Sequence, residues 1–186
     1  KMGVTSLDEK EHDRWSLAIG GMTDGISPLE MASAYGTIAN DGVYITPTFY
    51  TKVVDNSGNT VLTPKQETKR AISEQNAYIV KKIVQEPVVG ASGTAKYCAI
   101  SGMDVAAKTG TTDKSYDRWL CGFTPYYAAA TWFGYDDSEE VKGFSKNPAG
   151  QIWSAVMADI HKNLAGASFT KPNGIVEATV CRTTGC

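Results

Sequence analysis

The chain has 186 residues, 42% hydrophobic and 20% charged, which is the balance of a folded globular domain and excludes a disordered segment. A net charge of -2, with no Lys/Arg-rich block, argues against a nucleic-acid-binding protein. No apolar run approaches the length that spans a bilayer, and no signal-peptide pattern opens the chain at Lys1-Met2-Gly3-Val4, so any targeting segment is expected upstream.

Ser27-Pro28-Leu29-Glu30 predicts a helix start, with Ser27 as cap, Pro28 at the first helical position and Glu30 closing a capping box. The helix should run to about Asn40 and stop near Gly42. Its small residues Ala32, Gly36 and Ala39 imply close packing against another element. Residues 49–55 and 60–62 read as two strands around the turn Asn56-Ser57-Gly58-Asn59. Ser73 caps a second helix, with Ile79, Val80, Ile83 and Val84 on one face and Pro87 as its end.

Residues 88–102 are rich in glycine and small side chains and read as loop. Three strands follow, at 105–112, 119–124 and 128–135, and their short connections favour an antiparallel meander. Residues 151–164 carry Trp153, Val156, Met157 and Ile160 at helical spacing and predict a closing helix on that sheet. From Ala165 to Cys186 the chain is expected to be irregular and exposed. The fold class is α+β, an antiparallel sheet with packed helices, forming one domain or part of one.

The cysteines are Cys98, Cys121, Cys181 and Cys186, with no Cys-x-x-Cys pair, and His12 and His161 are far apart; no metal site is expected. Cys181 and Cys186 either close a small disulfide loop or remain thiols like the other two.

The run Lys108-Thr109-Gly110-Thr111-Thr112 carries the chemistry. Lys-Thr-Gly is the third of three motifs, after Ser-x-x-Lys and Ser-Asp-Asn, found in penicillin-interacting serine enzymes. On an edge strand it makes a receptor for an extended peptide that ends in a carboxylate, because backbone groups can pair with the ligand as an added strand. Gly110 would leave room for that approach. The hydroxyls of Thr109 and Thr111 can bind the carboxylate, Lys108 supplies positive potential, and the Thr111 N–H is a candidate oxyanion donor. An ordinary strand with an exposed lysine and two threonines would read the same way from the tripeptide alone.

The flanks add weight. Gly20-Gly21 through Gly36, Asn40-Asp41-Gly42, and Ala107 through Thr112 are three such segments. Asp117, Trp119, Gly122-Phe-Thr-Pro125, Trp132-Phe-Gly-Tyr-Asp136 and Lys171-Pro-Asn-Gly-Ile-Val176 extend them over nearly all of the chain. Together they resemble the transpeptidase domain of class A penicillin-binding proteins, the bifunctional peptidoglycan glycosyltransferase/D,D-transpeptidases. The resemblance implies a serine β-lactamase/D,D-transpeptidase-like fold. It implies that Lys108, Thr109 and Gly110 hold the D-Ala-D-Ala end of a stem peptide, with Thr111 adding carboxylate and oxyanion contacts. It also implies acylation by β-lactams, no metal or organic cofactor, and a membrane anchor and glycosyltransferase domain upstream, at the extracytoplasmic face. Trp119, Phe123 and Tyr135 are expected in the core of the sheet.

The departure from that pattern is large. In the family the nucleophilic Ser-x-x-Lys and a Ser-x-Asn motif precede Lys-Thr-Gly. Here Ser168-Phe-Thr-Lys171 follows it and is trailed by Pro172, so it is read as a chance match. Ser57-Gly58-Asn59 falls in a predicted turn and is read the same way. The chain is therefore expected to be the C-terminal portion of a transpeptidase domain, residues 1–186 with a tail at 165–186. The N-terminal portion of the same domain, on another polypeptide, would be its partner. A non-catalytic peptidoglycan- or partner-binding module, or a D,D-carboxypeptidase or β-lactamase on the same scaffold, are the alternatives.

Overall fold

The computed structural model describes residues 2–7, 9–11, 13–181 and 183–185. His12 and Cys186 lie outside the described residues, and with Cys186 the choice between a Cys181–Cys186 loop and free thiols.

Helix α1 spans Pro28–Ala39. The Ser27 hydroxyl accepts from the Glu30 N–H, and the Glu30 carboxylate accepts from the Ser27 N–H at 3.0 Å, so the capping box is complete. The same carboxylate takes the N–H and hydroxyl of Thr5 at 2.7 and 2.9 Å and those of Ser6 at 2.9 and 3.1 Å, pinning the N-terminal segment to the helix start. The helix ends where Asp41 and Gly42 turn to positive φ. A Cβ on Gly42 would lie 2.3 Å from the Ile72 carbonyl, so glycine is required there by space as well as by φ.

Strand β1 (Val43–Ile45), unrecognised in the sequence, pairs antiparallel with β4 (Thr68–Arg70). Between them β2 (Val53–Val54) and β3 (Thr60–Leu62) make an exposed hairpin, shorter than the predicted 49–55 strand. Phe49 is exposed rather than strand-bound. Asp55 Oδ1 accepts from the N–H groups of Ser57 and Asn59, at 2.9 and 2.8 Å, so Ser57-Gly58-Asn59 is a turn.

Helix α2 runs from Glu74 to Val89, capped by Ser73 as expected, but it passes through Pro87. The ring removes the N–H that would bond the Ile83 carbonyl, and the helix ends two residues later. Its buried face also differs from the expected one. Ala77, Lys81, Gln85 and Val88 point inward, while Ile79 and Ile83 are exposed. Lys81 is accommodated because its ammonium meets Asp41 Oδ1 at 2.6 Å, and Gln85 because its amide donates to Asp104 Oδ1 at 3.0 Å.

The loop that follows is built into the core, with Ala95 and Cys98 buried and a short 3-10 turn at Lys96–Cys98. Then come β5 (Ala106–Thr111), β6 (Asp117–Phe123) and β7 (Ala128–Gly134), the predicted antiparallel meander in the order β5-β6-β7. Lys108 stands opposite Cys121, Thr109 opposite Leu120, and Gly110 opposite Trp119. Helix α3 (Pro148–Ile160) begins three residues before the expected start, because Asn147 caps it and Pro148 opens it.

The sheet has two covered faces. On one, Ala107 and Leu120 pack with Trp153 and Met157 of α3, with Val88 and with Cys98. On the other, Ala106 and Phe123 pack with Tyr35, Ile38 and Ala39 of α1 and with Tyr78 and Val84 of α2. A Cβ on Gly122 would meet Trp153 Cζ2 at 2.9 Å, which is how the indole sits against the strands and donates to the Ala129 carbonyl at 3.1 Å. Val156 and Ile160, expected on this sheet, are instead exposed, and with Ile152 they form an outward apolar stripe at i, i+4, i+8.

Among the described residues after α3 there is no helix or strand, yet the segment is not wholly exposed. Phe169 is buried against Phe123 at a ring separation of 5.4 Å, and its N–H donates to Asp104 Oδ2 at 2.9 Å. Burying such a ring is worth about 1.5–3 kcal/mol and, with that hydrogen bond, anchors this point of the irregular segment.

Candidate functional site

Strand β5 has β6 on one side only, so among the described residues its other edge is unpaired. Alternation puts Thr109 and Thr111 on the face of Ala107 and Leu120, and Lys108 and Gly110 on the opposite face. Lys108 and Thr111 are exposed and Thr109 and Gly110 half-buried. The Lys108 ammonium folds back to donate to the Thr109 carbonyl at 2.8 Å. The four residues read as a site are thus consecutive on one strand, two hydroxyls on one face and the cation on the other.

Gly110 has a cross-strand reason to lack a side chain. A Cβ there would lie 3.0 Å from the Trp119 Cβ, and the indole lies over the glycine. Beyond the strand, Thr112 and Asp117 close the hairpin. The Thr112 hydroxyl donates to Asp117 Oδ2 at 3.0 Å, and the Asp117 N–H donates to that hydroxyl at 2.8 Å. Asp117 Oδ1 receives the Trp132 indole N–H at 2.8 Å, so one carboxylate ties the tip to β7. Lys114 and Ser115 take positive φ in the turn between.

Two neighbours of the motif were not legible in the sequence. The Thr94 hydroxyl lies 3.3 Å from that of Thr109. Arg118 stands opposite Thr111, with its Nε buried and without a hydrogen-bond partner. The signal for Thr94 was Gly93-Thr94-Ala95, small residues dictated by close packing rather than by loop freedom.

Of the three aromatic residues expected in the core, Phe123 is fully buried and Trp119 half-buried. Tyr135 lies past the end of β7 and is 53% exposed, so it is not core. Ser168 and Lys171 sit in the irregular tail, both exposed, and the Lys171 ammonium pairs with Glu177 at 3.3 Å. They do not come together with Lys108. Burial pushes the thiols of Cys98 and Cys121 up to about 12, so neither is a nucleophile. Burial, and secondarily Cys121, also pushes the Tyr35 hydroxyl up to about 12. Among the described residues no helix is long and apolar enough to cross a membrane.

An antiparallel three-stranded sheet between α1 and α3, with Lys-Thr-Gly on its edge strand, forms part of a serine β-lactamase/transpeptidase-like fold. A model of the penicillin binding protein transpeptidase domain matches residues 3–159, and the chain belongs to that family. Among curated relatives, penicillin-binding protein 1A of Clostridium botulinum is 40% identical over 178 residues, covering 94% of this chain and 21% of that protein. The chain thus spans about a fifth of the length of the curated relatives it matches, which are class A penicillin-binding proteins. Penicillin-binding protein PonA1 from Mycobacterium tuberculosis superposes with a TM-score of 0.73 at 26% identity, over 90% of this chain and 47% of that one. Penicillin-binding protein 1A from Haemophilus influenzae gives 0.70 at 25% identity, over 86% and 30%.

Proposed function

We propose that residues 1–186 are the C-terminal portion of a serine D,D-transpeptidase domain that cross-links peptidoglycan stem peptides. The observation that carries this reading is Lys108-Thr109-Gly110-Thr111 on an unpaired sheet edge within a transpeptidase-family segment. A stem peptide ending in D-Ala-D-Ala would lie along β5 as an added strand. Its carboxylate would meet the Thr109 and Thr111 hydroxyls, and the Lys108 ammonium would set the local potential. The Thr111 N–H would stabilise the oxyanion, a contact worth about 2.7–4 kcal/mol where one such donor has been removed. A serine supplied by the N-terminal portion would attack the penultimate carbonyl and expel D-alanine. The acyl group would then pass to an amine, and β-lactams would acylate the same serine and leave slowly.

That portion carries the Ser-x-x-Lys and Ser-x-Asn motifs in this reading, together with a membrane anchor that puts the site at the extracytoplasmic face. Two unpartnered features favour such a companion. The apolar stripe Ile152, Val156, Ile160 faces outward from α3, and among the described residues β7 has β6 on one side only.

The test is peptide mapping after a fluorescent penicillin, on the polypeptide or complex that contains this segment. The adduct is expected on a serine outside residues 1–186. An adduct on Ser168 overturns the assignment of the nucleophile. With both upstream motifs present and the protein folded, failure to label would favour a peptidoglycan-binding module instead.

A further inference from the structure

We propose that Thr94 is a positioning residue for the Thr109 hydroxyl, and through it for the terminal carboxylate of the ligand. This rests on the reading of β5 as the substrate-binding strand. The two hydroxyl oxygens are 3.3 Å apart, across fifteen residues of chain. An ionised carboxylate can only accept hydrogen bonds, so a Thr109 hydroxyl that binds one must donate its single proton to it. Its lone pairs are then free to accept, and Thr94 is the hydroxyl within reach to donate. The resulting chain, Thr94 to Thr109 to carboxylate, polarises the bond to the ligand and holds the Thr109 rotor in one orientation.

Thr94 is placed there by its neighbours. The Pro87 carbonyl, in the last turn of α2, accepts from the Ala95 N–H at 2.9 Å, and Gly93 N–H donates to the Gly90 carbonyl at 3.0 Å. Any side chain on Gly93 would meet the Pro87 carbonyl at 2.3 Å, so the chain must be glycine to come this close. Ala95 is fully buried in the core with Val88 and Ala107. The residue between Gly93 and Ala95 is exposed and its side chain is free of packing duties. Its position is therefore fixed by backbone contacts on both sides while its hydroxyl remains available to β5.

The test compares acylation by a penicillin with acylation by its carboxylate methyl ester, in the polypeptide or complex that carries the nucleophile. Thr94→Val keeps the shape and removes the hydroxyl. It is expected to lower acylation efficiency by the penicillin about tenfold, through weaker binding rather than a slower maximal rate, and to leave the ester unaffected. Thr94→Ser should stay within about twofold of the wild type, because the donor is retained. Thr94→Ala should follow Thr94→Val. The double variant T94V/T109V should lose no more than T109V alone. If Thr109→Val matters and Thr94→Val does not, the relay is overturned while the strand reading stands. An equal loss for penicillin and ester means a structural role and overturns it as well. If Thr109→Val itself changes nothing, the strand reading falls and takes the relay with it.

Discussion

His161 Nε2 lies 2.8 Å from Thr124 Oγ1, joining the end of α3 to the turn between β6 and β7. The hydroxyl of Thr124 already accepts the N–H groups of Tyr126 and Tyr127, at 3.1 and 3.2 Å, so its proton goes to the imidazole. Nδ1–H then donates to the Met157 carbonyl at 2.7 Å. Both residues are buried and every side-chain polar atom of the pair is used. Thr124→Val keeps the volume but strands a buried imidazole nitrogen and two backbone N–H groups. We expect a loss of about 1–3 kcal/mol, measured by denaturant titration. A loss below a few tenths would mean that water replaces the hydroxyl.

The Trp153 indole sits on the sheet because Gly122 leaves room for it. A Cβ added there would be 2.8 Å from both the Ala106 carbonyl and the Ala107 Cβ. Gly122→Ala is expected to destabilise by about 1–3 kcal/mol, and trimming the indole at the same time should recover part of it. Chemical denaturation of the two single variants and the double variant checks this coupling.

Glu30 gives a pH dependence. Hydrogen bonds from Thr5 and Ser27, with the Thr5 backbone N–H foremost, hold its carboxyl well below the usual carboxylate range. A folded-state pKa below the unfolded one stabilises at pH above the unfolded value of about 4.3 and is lost as pH falls from there. The group is half-buried at the surface, so the contribution is partly screened by solvent and modest. Glu30→Gln should lower the melting midpoint by about 2–4 °C at pH 7, with the gap from wild type narrowing steadily below pH 4.3. A gap independent of pH would assign the effect to the capping geometry alone.

Thiol chemistry should divide by position. Bonds from Thr184 and Thr183, the Thr184 side chain foremost, lower the exposed Cys181 thiol to about 7. In the reduced, folded protein, iodoacetamide at neutral pH should modify Cys181 and spare buried Cys98 and Cys121 until the protein unfolds. Peptide mapping over time reads this directly.

The Lys108 cation is exposed on the face opposite the two hydroxyls. If it acts through potential, Lys108→Arg should retain much of the acylation rate and Lys108→Ala should lose about 10–100-fold, with the difference shrinking at high salt. Stopped-flow acylation of the complete protein at two ionic strengths is the measurement.

How much was legible follows from what each element depends on. Helix α1 announces itself through Ser27, Pro28 and Glu30, and the β5–β7 meander through β-formers between short turns, because both are local. Strands β1 and β4 are three residues each, with little alternation, and exist because Val43 finds Arg70 far along the chain. Helix α2 was misread on its faces for a related reason. Apolar Ile79 and Ile83 look like core until the partners of Lys81 and Gln85 are known, and those partners, Asp41 and Asp104, lie outside the helix. The motif residues were legible by type and order. What surrounds them was not, since Thr94 reaches Thr109 only through the return of the chain under Pro87.

The register of β5 on β6 and of β6 on β7 is completed between Ala106 and Gly134, by hairpins joined through short turns. Such pairing carries little loop-closure entropy and low contact order, and it belongs among the early events as a chain collapses. The strand that carries Lys108 can therefore acquire its shape from its own neighbourhood, ahead of any distant segment. As a nascent chain emerges, the strand carrying Lys108-Thr109-Gly110-Thr111 can be set by residues 106–134 alone, with α1 already released and α3 still to come.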